Sequence, residues 1–238
     1  MLQGSMTHPD RTNARTLAQQ YEHAGKPTEW FEVLYAQAKN GDAIVPWADL
    51  KANPNLVQWL DEHQVQGHGK TALKIGCGLG DDAEALHNRG FKVIGFDISA
   101  SAIAWCHERF PNAAVQYVVA DLLNPPSTWQ NAFDFVLEAY TLQVLPSSLR
   151  PAAIQQIANF VAPGGQLLVI NRGRDSDEDP GQMPYPLTKS EVMQFATEDL
   201  DVVSFEDYWD KESPPVRRFR SVFRKQPFSR EKQSNISP

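Results

Sequence analysis

The run Leu73-Lys74-Ile75-Gly76-Cys77-Gly78-Leu79-Gly80-Asp81-Asp82 constrains the fold of this chain more than any other stretch. A short apolar segment stops at three glycines set at alternate positions, and a helical pattern opens at once with two acids in its first turn. That order spells strand, tight turn, helix. Glycine allows the sharp backbone bend and a close approach to a ligand, while the free amides of a helix start attract an anionic group. The stretch is expected to cradle a small molecule. A dinucleotide fingerprint needs a glycine three positions after Gly78, and Asp81 stands there. A nicotinamide-dependent oxidoreductase is therefore the alternative reading, not the first one.

Downstream the text alternates. Phe91–Phe96 reads as a buried strand ending at Asp97, Val115–Ala120 as one ending at Asp121, and Phe133–Leu137 as one ending at Glu138, with Gly165–Ile170 as the fifth. Helical segments are expected at Ala100–Arg109, Ser147–Val161 and Thr188–Thr197. Strands alternating with helices imply right-handed crossovers, and ligands then sit at the carboxyl ends of the strands. Asp97, Asp121 and Glu138 all fall there. Val202–Tyr208 and Arg217–Lys225 read as a closing antiparallel pair.

The expected architecture is α/β: a doubly wound, mostly parallel, seven-stranded Rossmann-like sheet with an antiparallel last strand and an N-terminal helical lid. Arg11 to about Asn40 reads as helical, with Trp30 and Phe31 among its apolar residues and Pro27 set to open a helix. Val45-Pro46-Trp47 reads as an aromatic turn, and Pro54–His63 as an amphipathic helix. Residues 7–66 form the lid in this reading, and 67–228 the main domain. Residues 1–6 read as an expression scar before a start at Met6, and 229–238 as a polar, disordered tail.

A net charge of −7 argues against a grip on nucleic acid or an anionic membrane, and so favours a small-molecule partner. Cys77 and Cys106 have no metal-like spacing, no metal is expected, and a cytoplasmic monomer or weak homodimer fits. Cys77 lies inside the glycine turn with no histidine nearby in sequence, which reads as a small residue that fits rather than as a nucleophile. Asn124-Pro125-Pro126-Ser127 looks like a base-methylating signature, but it follows the third strand and lacks the aromatic. A proline-stiffened loop is the better reading.

The glycine turn, Gly95-Phe96-Asp97-Ile98-Ser99, Asp121 and Ala162-Pro163-Gly164-Gly165-Gln166-Leu167 together resemble the class I S-adenosylmethionine-dependent methyltransferases. Trp30, the turn without its usual preceding acid, and Asp179–Tyr185 bring it nearest to the thiopurine methyltransferase-like branch. The resemblance implies S-adenosylmethionine as cofactor and S-adenosylhomocysteine as product. Methyl transfer to a small acceptor such as a thiol or halide follows, and a non-catalytic adenosylmethionine-binding module is the remaining rival. The implied cofactor residues are Trp30, Gly76, Cys77, Gly78, Gly80, Asp97, Ile98, Asp121, Leu122, Leu123 and Glu138. Asp97 lies 21 positions after Gly76, where an acid accepts both ribose hydroxyls. Asp121 is implied at the adenine amino group, with Leu122 and Leu123 against the ring. Glu138 and Tyr140 are the first candidates for a base, and Arg172 for orienting the acceptor. Lys74 stands where most members carry an acid, and a buried ammonium would need a carboxylate partner such as Glu138.

Overall fold

A computed structural model describes residues 10–227. The expected scar and tail lie outside the described residues. The N-terminal segment forms three helices. Helix α1 (Thr12–His23) and helix α2 (Trp30–Lys39) divide the region that reads as helical from Arg11 to about Asn40, the second beginning three residues after Pro27. Gly25 takes a φ of +74° as its N–H bonds back to the Glu22 carbonyl, and Pro27, two residues on, has no amide to continue the ladder. Helix α3 (Pro54–Glu62) starts where its sequence directs. Asn53 caps it by accepting from the Asn55 N–H at 2.9 Å, Pro54 sits in its first turn, and Leu56, Trp59 and Leu60 are buried.

The alternating part follows in order. Strand β1 (Thr71–Ile75) leads into helix α4 (Asp81–Asn88), and strand β2 (Lys92–Asp97) into helix α5 (Ala100–Arg109). Strand β3 (Gln116–Val119), strand β4 (Phe133–Ala139), helix α6 (Arg150–Phe160) and strand β5 (Val161–Arg174) complete the parallel half. A two-residue strand, β6 (Leu187–Thr188), lies beside the end of β5 and runs into the short helix α7 (Lys189–Val192), where Thr188 and Glu191 form a capping box. Strand β7 (Leu200–Trp209) and strand β8 (Arg217–Lys225) close the sheet.

The sheet order is β3-β2-β1-β4-β5-β8-β7, the seven strands expected, with the two-residue β6 paired to β5 off that path as an eighth. β8 is antiparallel to both of its neighbours, as expected for the last strand. β1 pairs with β2 on one side and β4 on the other, so the chain reverses its winding direction at β1. The crevice of a doubly wound sheet opens at such a switch point, and there the glycine turn begins.

Two apolar layers cover the sheet. One gathers Phe96, Trp129, Phe160 and Phe223; the other gathers Trp59, Leu86, Cys106 and Phe135. A third cluster joins Leu17, Trp30, Leu34 and Tyr35 to Leu79 of the glycine turn and Ala102 of α5. α1 and α2 therefore rest on the rim where the strands end. No helix among the described residues is long and apolar enough to cross a membrane.

Candidate functional site

The glycine turn is built as its residues require. Gly76, Gly78 and Gly80 take φ values of +54°, +53° and +92°, a region where a Cβ is strained, and Gly80 caps α4. Protein atoms also crowd the turn. A Cβ on Gly76 would lie 2.5 Å from Thr141 Oγ1, and one on Gly80 would lie 2.6 Å from the Tyr117 hydroxyl. At Gly78 the near atom is the hydroxyl of Tyr35, from the N-terminal layer. Cys77 donates its N–H to the Phe96 carbonyl at 2.8 Å, and its thiol turns into the core beside Cys106. Burial holds that thiol well above the ordinary range, which suits a packing residue and not a nucleophile.

The strand-end acids lie at or just past the ends of β2, β3 and β4, and Asp97 touches this turn directly. Asp97 is 7% exposed; its Oδ2 accepts from the Gly78 N–H at 2.9 Å and its Oδ1 from the Ser99 N–H at 3.0 Å. A carboxylate has about four acceptor positions, so each oxygen keeps one free for a hydroxyl. Burial pushes the Asp97 carboxyl up despite these bonds. Asp121 is half-buried and forms a local turn by accepting the Leu123 N–H on Oδ1 at 2.8 Å. Leu122 is buried, and Leu123 and Ile98 are half-buried. Glu138 has no exposed surface. Its Oε1 accepts from the Thr141 and Leu142 N–H groups at 2.8 and 2.9 Å, while its Oε2 is buried without a partner.

Lys74 holds these acids together. Its Nζ is 2.8 Å from the Ile75 carbonyl and 3.8 Å from Asp82 Oδ2, so the ion-pair partner is Asp82 and not Glu138. Its charge still acts on Glu138 and on Asp97, favouring their ionised forms. A cation on β1 thus compensates acids from α4, β2 and β4, which accounts for a buried lysine at this position.

Burial nevertheless raises the Glu138 carboxyl to about 7. A carboxyl raised on folding binds its proton more tightly in the native state. Its contribution to stability is therefore full below the unfolded value near 4.5 and is lost as pH rises toward 7. Glu138→Gln is expected to flatten this slope, removing about 3 kcal/mol of variation between pH 4.5 and 7. Urea unfolding of both proteins across that range checks it; parallel slopes would contradict the assignment.

The Tyr140 ring turns away from Glu138. Its φ of +67° turns the chain at the end of β4, and its ring packs with the layer under α3 instead of following the Glu138 side. The Tyr140 hydroxyl accepts from Asn55 Nδ2 at 3.1 Å, and the Arg218 guanidinium lies over its ring at 4.9 Å. Arg172 belongs with this group, because it stands opposite Arg218 across β5 and β8. The two candidate bases are thus on different faces, and Arg172 accompanies Tyr140.

Trp30 is engaged in packing. It is 1% exposed, stacked on Phe31 at 4.0 Å and crossed by Trp47 at 6.1 Å, so packing absorbs its ring. The half-buried Phe31 touches both this cluster and the layer that contains Leu122. Glu32 next to it was not legible as functional. Its carboxylate accepts from Ser99 Oγ at 2.7 Å, Ser101 N–H at 3.0 Å and Ser101 Oγ at 2.6 Å, fastening α2 to the start of α5. Only the helix-start serines hint at this in sequence, since their partner lies 67 positions away.

Comparison with known proteins agrees with this geometry. Residues 72–165 match the family model described as a methyltransferase domain. Among curated proteins the chain is 34% identical to a ubiquinone biosynthesis O-methyltransferase of Pseudomonas paraeruginosa over 50% of this chain and 52% of that one. It is 27% identical to a probable thiol methyltransferase 2 of Arabidopsis thaliana over 71% and 80%. The chain spans about half the length of the first of these relatives. Among solved structures, Burkholderia thailandensis 1,6-didemethyltoxoflavin-N1-methyltransferase, crystallised with that compound and S-adenosylhomocysteine, superposes with a TM-score of 0.65 at 17% identity. The match covers 87% of this chain and 90% of that one. By sequence, residues 72–165 match a methyltransferase domain, and by fold the described residues resemble a solved methyltransferase.

Proposed function

We propose that this protein transfers the methyl group of S-adenosylmethionine to a small-molecule acceptor. What supports this reading is the placement of Asp97, Asp121 and Glu138 at or just past the ends of β2, β3 and β4, with Asp97 bonded to the glycine turn at the sheet's switch point. Asp97 keeps two acceptor positions for the ribose hydroxyls. Asp121, whose Oδ2 takes no part in the local turn, receives the adenine amino group between Leu122, Leu123 and Ile98. The turn at Gly76, Gly78 and Gly80 takes the amino-acid end, and the orphan Oε2 of Glu138 faces a donor from the ligand.

The cofactor supplies a methyl group already activated on a sulfonium. What remains for the protein is approach geometry and the exclusion of water. α1 and α2, fastened through Glu32, close the rim above the strand ends, with Phe31 beside the adenine layer. Tyr140 and Arg172 face the acceptor. A strained φ at a non-glycine residue is a common mark of such a position, and a nearby guanidinium favours a deprotonated nucleophile. Thiols, halides and phenols are the first acceptors to try, since relatives named for thiol, thiocyanate and ubiquinone-pathway methylation are among the matches. A cytoplasmic monomer or weak homodimer is in keeping with this role.

The test is incubation with isotopically labelled S-adenosylmethionine and a panel of these acceptors. The expected result is acceptor-dependent S-adenosylhomocysteine with label in the acceptor. Tight cofactor binding without transfer to any of them would favour the non-catalytic module.

A further inference from the structure

We propose that Arg11, Arg172 and Arg218 form a subsite for a carboxylate or like oxyanion carried by the acceptor, and that this anion clamps the N-terminal segment onto the sheet. The inference rests on the reading above that the acceptor binds at the ends of β4 and β5.

Arg172 and Arg218 stand directly opposite one another in the antiparallel β5–β8 pairing. Like charges in such positions repel and destabilise a sheet. Arg218 is balanced: it donates to Asp210 at 2.6 Å and to Glu212 at 2.5 Å. Arg172 is not. Its backbone is engaged, with the N–H on Gln143 Oε1 at 2.9 Å and the carbonyl on Asn171 Nδ2 at 2.7 Å. Among the described residues, however, its half-buried guanidinium has neither a hydrogen bond nor an ion pair. Burial and then the neighbouring Arg11 and Arg218 pull its pKa down to about 10, a sign of a cation placed where it lacks a counter-charge.

Arg11 comes from a different layer. It caps α1, and its side chain is likewise without a partner among the described residues. Arg15 and Arg218 act on it as like charges, and Glu212 and the exposed Asp49 as opposite ones. Asp10 acts on Arg15 in turn, and Asp210 and Glu212 bind Arg218, which leaves Arg11 and Arg172 as the guanidiniums of this subsite without a hydrogen-bonded carboxylate among the described residues. In a chain with a net charge of −7, such a positive spot is not the general background.

The position is apt. Tyr140 donates its N–H to the Ile170 carbonyl at 3.1 Å, and Ile170 is the register partner of Ala139. Arg172, two residues on, thus lies just past the end of β4, beside the strained Tyr140. Guanidinium forks match carboxylate oxygens two at a time, which a bare halide cannot exploit. Without an anion, Arg11 on the N-terminal segment and Arg172 and Arg218 on the sheet repel each other. An anion between them turns that repulsion into attraction across the two layers.

The test uses three isosteric probes, benzoate, benzamide and benzamidine, titrated calorimetrically into the protein saturated with S-adenosylhomocysteine. Benzoate is expected to bind about 10-fold or more tighter than benzamide, the scale of a charge-assisted hydrogen bond, with benzamidine weakest. Arg172→Gln should erase the preference while leaving the melting temperature equal or higher, because it removes a repulsion. Hydrogen exchange in α1 should slow when benzoate binds to the wild type but not to Arg11→Gln. Equal affinity for benzoate and benzamide, no benzoate binding, or a preference that survives Arg172→Gln would overturn the proposal, and iodide binding as tightly as benzoate would overturn the carboxylate assignment. The probes are not methylated, so this outcome is independent of whether methyl transfer itself is found.

Discussion

Asp97→Ala is expected to lower affinity for S-adenosylmethionine by about 1.5–3 kcal/mol, roughly 10- to 150-fold, as the loss of charge-assisted hydrogen bonds to two hydroxyls implies. The change also leaves the Gly78 and Ser99 N–H groups without their acceptor, so the turn loosens along with the contact. Asp97→Asn separates these effects. The amide oxygen keeps one backbone bond, and replacing a carboxyl whose pKa burial has raised removes a costly charge from the interior. That variant should fold as stably as the wild type or more so and still bind the cofactor poorly. Such a trade marks a residue kept for binding. Calorimetry on both variants, with urea unfolding alongside, checks the pair; unchanged affinity in either would remove Asp97 from the site.

The second large effect is on stability. Trp30→Ala deletes a fully buried indole that packs against Phe31 and Trp47 in the cluster joining the N-terminal helices to Leu79 and Ala102. A buried aromatic cut back to alanine costs about 3–5 kcal/mol, or roughly 6–20 °C in melting temperature for a chain of this size. Cofactor affinity should also fall, but only because the layer over the glycine turn has been undocked. Trp30→Phe retains most of the packing and should restore most of the affinity. A Trp30→Ala protein as stable as the wild type, yet unable to bind, would instead make Trp30 a direct ligand contact.

The parallel half of the fold was legible because its signals are local. Apolar runs of strand length, glycines at a turn and acids at strand ends lie within a few residues of one another, and each element formed close to where those signals put it. The glycine turn and the positions of Asp97, Asp121 and Glu138 followed directly. What was not legible depends on distance in the chain. Pro27 was legible as the opening of a helix, while the stop of α1 at His23, which Gly25 follows with its positive φ, was not. β6 has only two residues, too few for a period to show.

The site's electrostatics lay further out of reach. Lys74 was expected to need a carboxylate, and it has one; that the partner is Asp82 follows from how α4 leaves the turn. The opposed placement of Glu138 and Tyr140 defeats simple alternation, because the positive φ at Tyr140 breaks the period of two that assigns strand residues to faces. Glu32 and Arg11 become site residues only when α1 and α2 dock, bringing together groups more than 60 positions apart. Arg172 was singled out as a lone cation, and the sheet register is what supplies its company.

The most direct test of the central claim is a parallel calorimetric titration with S-adenosylmethionine, S-adenosylhomocysteine and NAD. The account predicts that the two sulfur compounds bind one per chain with dissociation constants near the micromolar range, and that NAD does not bind. NAD binding in the absence of either sulfur compound would contradict it, since the glycine turn and the three strand-end acids would then serve a dinucleotide.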